Sequence, residues 1–136
     1  ERGKANMAFE KAYRLNPNSL ETKINYARVL RRLGKKEESM KLYSQAFSMR
    51  PDFPNLAIEY GSILEEMKYV ESARKIYLYA YENGSRREKV FACKLLSRLS
   101  YSLGNRDEAI KWVRRALELV PGDPDLVELL NRLEER

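Results

Sequence analysis

The sequence contains no histidine and only one cysteine, and these two absences exclude several classes of protein. Without histidine, the chain lacks the side chain most often used for proton transfer near neutral pH and the commonest metal ligand. No nucleophile paired with histidine can form within it, and Cys93 alone makes neither an internal disulfide nor a typical zinc site. The single thiol fits a reducing compartment such as the cytoplasm but does not decide the location.

Long apolar runs and a strong excess of one charge are also missing. No stretch approaches the roughly 18 apolar residues of a membrane span, and no secretory signal opens the sequence. The 136 residues are 43% hydrophobic and 34% charged, with a net charge of +6. This composition is typical of a globular domain, and its modest basic excess permits acidic partners without selecting one.

What the sequence does contain is a repeat. Prolines follow helical patterns at Pro17, Pro51 and Pro121, at intervals of 34 and 70 residues, and the missing intermediate boundary reads Asn83-Gly84-Ser85. Before each boundary, a small residue, a large apolar residue and a small residue follow one another at intervals of four and three, which places all three on one face of a helix. The four triplets are Ala5-Phe9-Ala12, Ser39-Tyr43-Ala46, Ala73-Tyr77-Ala80 and Ala109-Val113-Ala116.

Turn signals divide each period into two helices. Gly34 and Gly104 stand in the middle of their periods, where a helix that ends in a left-handed residue favours glycine. Ser85 followed by Glu88 fits a capping box and predicts that the next helix starts early. Trp112 is predicted to be partly exposed and Cys93 to be a packed thiol.

A 34-residue helix pair with this small-large-small pattern and a terminal proline resembles the tetratricopeptide repeat, most closely from Gly104 to Pro121. The resemblance implies an all-α fold of about eight helices, in which antiparallel hairpins stack into a right-handed superhelical solenoid. We therefore predict one domain over residues 1–136, cut from a longer array. Its parts are the second helix of a truncated repeat (1–17), three complete repeats (18–51, 52–85 and 86–121) and a first or capping helix (122–136).

The family lines its concave groove with the first helix of each repeat, which implies a set of candidate residues for binding a protein or peptide. They are Asn25, Arg28, Arg31, Arg32, Ile58, Ser62, Glu65, Phe91, Lys94, Arg98 and Tyr101. Arginine binds carboxylates and aromatic rings give rigid contact area, so we expect a segment with acidic groups and one apolar anchor. In the alternative interpretation, the face is solvated and its opposite charges pair between neighbouring hairpins.

The chain is predicted to be a protein-interaction scaffold rather than an enzyme, with no cofactor and no metal. Two alternatives stay open, an RNA-binding helical repeat and the partner-binding arm of a multidomain enzyme. The residues that some family members use to grip chaperone tails are absent at the matching positions. Self-association through Ala5, Phe9 and Ala12 is a further expectation, because a stack cut in mid-hairpin leaves an apolar face.

Overall fold

The computed structural model describes residues 2–135, and in this range the chain forms eight α-helices and no β-strand. The all-α prediction is therefore confirmed. The helices are α1 (Arg2–Leu15), α2 (Leu20–Arg32), α3 (Lys36–Met49), α4 (Leu56–Glu66), α5 (Val70–Asn83), α6 (Arg86–Ser102), α7 (Arg106–Leu119) and α8 (Pro124–Glu134).

The helices belong to two compact units, the first ending at Ala73 and the second beginning at Arg74. In the first unit, α2 packs against α1 and α3, and α3 packs against α4. In the second unit, α7 packs against both α6 and α8. The successive helices of these pairs are thus neighbours in space, as short connections favour.

Each hairpin turn ends its first helix with a residue of positive φ. Gly34 has a φ of 80° and Gly104 one of 82°, as expected for glycine in a left-handed conformation. Lys68 occupies the matching place in the turn after α4 with a φ of 71°. The same two backbone hydrogen bonds close all three turns, for example from Gly34 N to Arg31 O and from Lys35 N to Leu30 O. The turn geometry therefore persists where the sequence has no glycine.

Polar side chains cap the starts of several helices. The Ser85 hydroxyl accepts from the Glu88 amide at 3.2 Å, and the Glu88 carboxylate accepts from the Ser85 amide, which completes the predicted capping box. Because α6 begins at Arg86, directly after this cap, it reaches 17 residues, and the predicted early start is confirmed. Asn105 and Asp123 cap α7 and α8 with their side chains, which accept from the backbone amides of Glu108 and Leu126.

The small-large-small triplets of α3, α5 and α7 lie in the core. Every member is buried, with no side chain more than about 1% exposed. Small residues allow two helix backbones to approach closely, and a serine uses that approach in each unit. Ser39 donates to the carbonyl of Ala27 at 2.7 Å, and Ser97 donates to the carbonyl of Ala109 at 2.9 Å.

Trp112 on α7 and the helix α1 lie at opposite extremes of burial. The prediction that Trp112 is partly exposed is wrong, because its side chain is only 2% exposed. It lies on the same helix face as Ala109 and Ala116, and the ring of Tyr81 meets it edge-on at 5.1 Å between centroids. In α1 no residue is buried, and Ala5 of the first triplet is exposed. Self-association through this face stays a prediction.

Candidate functional site

In the first unit, the predicted groove residue Arg28 is already paired. Its guanidinium grips the carboxylate of Glu59 on α4 with two hydrogen bonds, Nε to Oε1 at 2.8 Å and Nη2 to Oε2 at 2.7 Å. Its Nη1 also donates to Oδ1 of Asn25 at 3.3 Å. A two-pronged contact of this kind fixes both the distance and the plane of the pair.

The same carboxylate reaches into the core. The buried Tyr43 hydroxyl donates to Oε1 of Glu59 at 2.9 Å. The hydrogen bond that Arg28 donates to Glu59 raises the pKa of Arg28, while burial, followed by the nearby Glu59 charge, raises the pKa of Tyr43. Tyr43 therefore stays a neutral donor, and Glu59 joins one surface cation to one buried hydroxyl.

The other two arginines of α2 also have partners. Arg31 makes an ion pair with Glu66, which lies 3.8 Å from the ammonium of Lys36 as well. Arg32 donates to Oδ1 of Asn6 on α1 at 2.9 Å. At the cations of α2, the structure thus shows charge pairing between neighbouring helices.

The remaining predicted residues of this unit lie on α4. Ile58, Ser62 and Glu65 are all half-buried, and Ser62 and Glu65 make interactions of their own. The unit therefore presents the predicted residues with their polar groups engaged.

In the second unit, the predicted residues of α6 share one exposed helix face. They are Phe91, Lys94, Arg98 and Tyr101, spaced at three, four and three positions. Phe91 is 51% and Tyr101 59% exposed, which is unusual for large aromatic side chains. Arg98 has an interaction within the chain, whereas Lys94 has no hydrogen-bond or ion-pair partner among residues 2–135.

A cleft of about 530 Å³ opens at the start of this face, and we call it the Phe91 cleft. It is lined by Arg86, Arg87, Val90, Phe91, Lys94 and Val120. Arg86 donates to the carbonyl of Leu119 at the end of α7, while Arg87 has no partner among the described residues. Apolar walls and cationic edges therefore meet in one depression.

A second cleft, of about 430 Å³, lies between α6 and α8, and we call it the Tyr101 cleft. Its lining residues are Lys94, Ser97, Arg98, Tyr101, Leu129, Arg132 and Leu133. Arg132 pairs with Glu128 one turn earlier at 2.8 Å, and both side chains are about two-thirds exposed. Lys94 lines both clefts, so the two are adjacent.

Sequence reasoning missed the part that α8 plays in this surface. Leu126, Leu129 and Leu133 follow helical spacing, an apolar stripe that could have shown that α8 packs on the preceding hairpin. It did not indicate that Leu129 and Arg132 would line a cleft with Lys94. Arg86 and Arg87, which are not among the predicted groove residues, also line the Phe91 cleft.

Two observations on the described residues concern catalytic and metal-binding chemistry. Cys93 is fully buried, as predicted, and burial raises the pKa of its thiol to about 11, so it is protonated near neutral pH. No group of three or more metal-binding side chains comes together within residues 2–135. Across that same range, every helix is too short or too polar to cross a membrane.

Comparison with known proteins gives the same fold throughout. A family model described as tetratricopeptide repeat matches residues 20–53 and 92–123. Among solved structures, PilF of Pseudomonas aeruginosa aligns over 97% of this chain and 60% of its own, with a TM-score of 0.81 and 20% identity. A tetratricopeptide repeat protein of Parabacteroides merdae aligns over 97% of this chain and 52% of its own, with a TM-score of 0.80 and 22% identity.

A third structure, residues 41 to the end of MamA from Desulfovibrio magneticus, aligns over 97% of this chain and 73% of its own, with a TM-score of 0.74 and 16% identity. No curated protein matches the sequence significantly. The matched segments contain the helix pairs α2–α3 and most of α6–α7, whose spacing and buried small residues carried the resemblance. Residues 20–53 and 92–123 are therefore tetratricopeptide repeats, and nearly the whole chain shares the fold of tetratricopeptide repeat proteins.

Proposed function

We propose that this chain is a protein-interaction module that binds a protein segment carrying acidic and apolar side chains along the exposed face of α6. Tetratricopeptide repeats form interaction scaffolds as a class, and the proposal adds a face and a ligand chemistry. The observation that carries it is the lining of the two clefts on α6, which holds five cationic residues and no acidic one.

The chemistry of these clefts favours a carboxylate beside an apolar side chain. Arginine forks and a lysine ammonium donate strong hydrogen bonds to carboxylates, particularly where the surroundings are partly dry. Phe91 and Tyr101 offer large, rigid surfaces that lose little conformational entropy when a partner covers them. Lys94, which has no hydrogen-bond or ion-pair partner among residues 2–135, lines both clefts and can meet a partner in either one.

The first unit is expected to contribute less to the recognition of charge. Its candidate residues are Asn25, Arg28, Arg31, Arg32, Ile58, Ser62 and Glu65. A carboxylate of the partner would have to displace Glu59 from Arg28 and Glu66 from Arg31. We therefore assign recognition of the partner's charged groups to α6 and expect the first unit to contribute through shape complementarity.

A displayed library of random twelve-residue peptides, selected on the full chain, tests this function. Enriched peptides should contain aspartate or glutamate together with leucine, phenylalanine or methionine. Lys94→Glu should weaken the best peptide about tenfold or more, because an attraction becomes a repulsion at the centre of the surface. The affinity should also fall as salt is raised, which fluorescence anisotropy measures directly.

Lys75→Glu is the matched control, since Lys75 is an exposed lysine of the same unit that lines neither cleft. It makes the same charge change and should leave the affinity within about twofold of the parent. Equal losses for the two variants would refute the proposed surface. Selection of no acidic peptide, together with salt-sensitive binding of a labelled RNA, would refute the proposed partner class.

A further inference from the structure

The two clefts on α6 are separate depressions with one residue in common. The α6 residues that line the Phe91 cleft lie at positions 86–94, and those that line the Tyr101 cleft lie at positions 94–101. Each cleft has an apolar wall, Val90 and Phe91 in one and Leu129 and Leu133 in the other. A ligand that fills both must therefore cross Lys94.

The distance between the clefts follows from helix geometry. The α6 residues that line them are centred roughly eight positions apart, and a helix rises about 1.5 Å per residue, so the centres are about 12 Å apart along the axis. An extended chain advances about 3.3 Å per residue, and its side chains alternate between two faces. Four residues thus span about 13 Å and return the side chain to the same face.

We infer that this surface reads one extended motif: an apolar residue, an acidic residue two positions later, and a second apolar residue two positions after that. The two apolar side chains occupy the Phe91 and Tyr101 clefts, and the carboxylate between them meets Lys94. This inference rests on the proposed function and adds the register and the number of anchors. The sequence alone had indicated a single apolar anchor.

An extended ligand fits the donors of this surface better than a helical one does. Arg87 edges the Phe91 cleft and has no partner among the described residues, so it can donate to the backbone carbonyls of a partner as well as to its carboxylates. A helix satisfies its own carbonyls and offers Arg87 its side chains alone. Because the pattern is symmetric about the acidic residue, it does not fix the direction of the bound chain.

Four fluorescein-labelled peptides with amidated carboxyl ends test this register on the full chain by fluorescence anisotropy. Each has eleven residues, two leucines and one aspartate in a serine and glycine background. The matched peptide has leucines at its fourth and eighth positions and aspartate at its sixth. The second peptide moves the aspartate to the fifth position, the third moves the second leucine to the seventh, and the fourth places the leucines seven positions apart for a helical register.

The matched peptide should bind about tenfold more tightly than each of the others, because each shift turns one group away from its cleft or from Lys94. Equal affinity for all four peptides, no measurable binding by any of them, or tighter binding of the helical register overturns the inference. If the library still yields acidic peptides that depend on Lys94, the proposed function survives that failure. If it does not, both fail.

Exposed aromatic residues allow each cleft to be assigned to one leucine without threatening the fold. Phe91→Ala should weaken the matched peptide several-fold, yet have little effect once one particular leucine is replaced by serine. Tyr101→Ala should show the same dependence on the opposite leucine. Coupling of both variants to the same leucine, or to neither, contradicts a two-cleft register.

Discussion

The helices α2 and α6 both present cations on an exposed face, yet the two units of the chain treat these cations in opposite ways. In the first unit, Arg28 and Arg31 of α2 are held by glutamates of α4, with a two-pronged bond at Arg28. In the second unit, Lys94 of α6 has no partner among the described residues, and the clefts on either side of it contain no acidic lining residue.

This difference separates a charge that serves the fold from a charge that is available to a ligand. An ion pair that is already formed must be broken before a partner gains from it, whereas an unpaired ammonium gives up only water. The formed pairs also reach inward, since Glu59 accepts from the buried hydroxyl of Tyr43. Residue type and helix position therefore do not identify a binding residue unless its neighbours are known.

Replacing Glu59 by alanine would leave Arg28 without its ion-pair partner and with only its hydrogen bond to Asn25, and it should have the largest effect on stability. We expect Glu59→Ala to lower the free energy of unfolding by about 2–3 kcal/mol, because it strands the hydroxyl of Tyr43 as well as the guanidinium. Urea unfolding followed by circular dichroism measures the change. Lys94→Glu should change the same quantity by less than about 0.5 kcal/mol.

Tyr43→Phe provides the control for that mechanism. In its background, Glu59→Ala no longer strands a buried hydroxyl, so the loss should shrink to about 1 kcal/mol. An undiminished loss would show that the coupling to Tyr43 is unimportant and that the carboxylate acts on the surface alone.

The serines that join helices inside each unit should show the two units behaving alike. Ser39→Ala and Ser97→Ala each remove one buried hydrogen bond to a helix carbonyl, so each should cost about 1 kcal/mol in urea unfolding. Ser48→Ala, at an exposed position of α3, should be neutral to within about 0.3 kcal/mol. A loss at only one of the two buried serines would contradict the equivalence of the hairpins.

The smallest expected effect concerns Glu128, the carboxylate partner of a cleft residue. Glu128→Ala should change the free energy of unfolding by less than about 0.5 kcal/mol, because Glu128 and Arg132 are both largely exposed. It should nevertheless tighten an acidic peptide roughly twofold, since Arg132 then faces the Tyr101 cleft unpaired. Unchanged peptide affinity would remove Arg132 from the binding surface.

The helical hairpins and their cores could be predicted from the sequence because they depend on local spacing. The triplets of α3, α5 and α7 are buried where the four-and-three pattern places them. The capping box at Ser85 and the early start of α6 are likewise written in adjacent residues. The burial of Trp112 could also have been predicted, because its sequence spacing from Ala109 and Ala116 places it on the buried face.

The ion pairs between helices could not be predicted from local spacing. Arg28 and Glu59 are 31 residues apart, and Arg31 and Glu66 are 35 apart, so their contact depends on how two helices lie against each other. The Tyr101 cleft also depends on α8, which supplies Leu129 and Arg132 to its lining. Exposure of Phe91 and Tyr101 became informative only once these walls were located.

The two-residue connection between α5 and α6 is tightly packed at Gly84. A Cβ atom on Gly84 would lie 2.5 Å from the carbonyl oxygen of Ala80 and 2.8 Å from Cβ of Glu88, so even alanine does not fit there without movement. Only Gly84 and Ser85 separate the two helices. Any residue larger than glycine at position 84 would therefore require Ala80 or Glu88 to shift, at the start of the helix whose Arg86 and Phe91 line the Phe91 cleft.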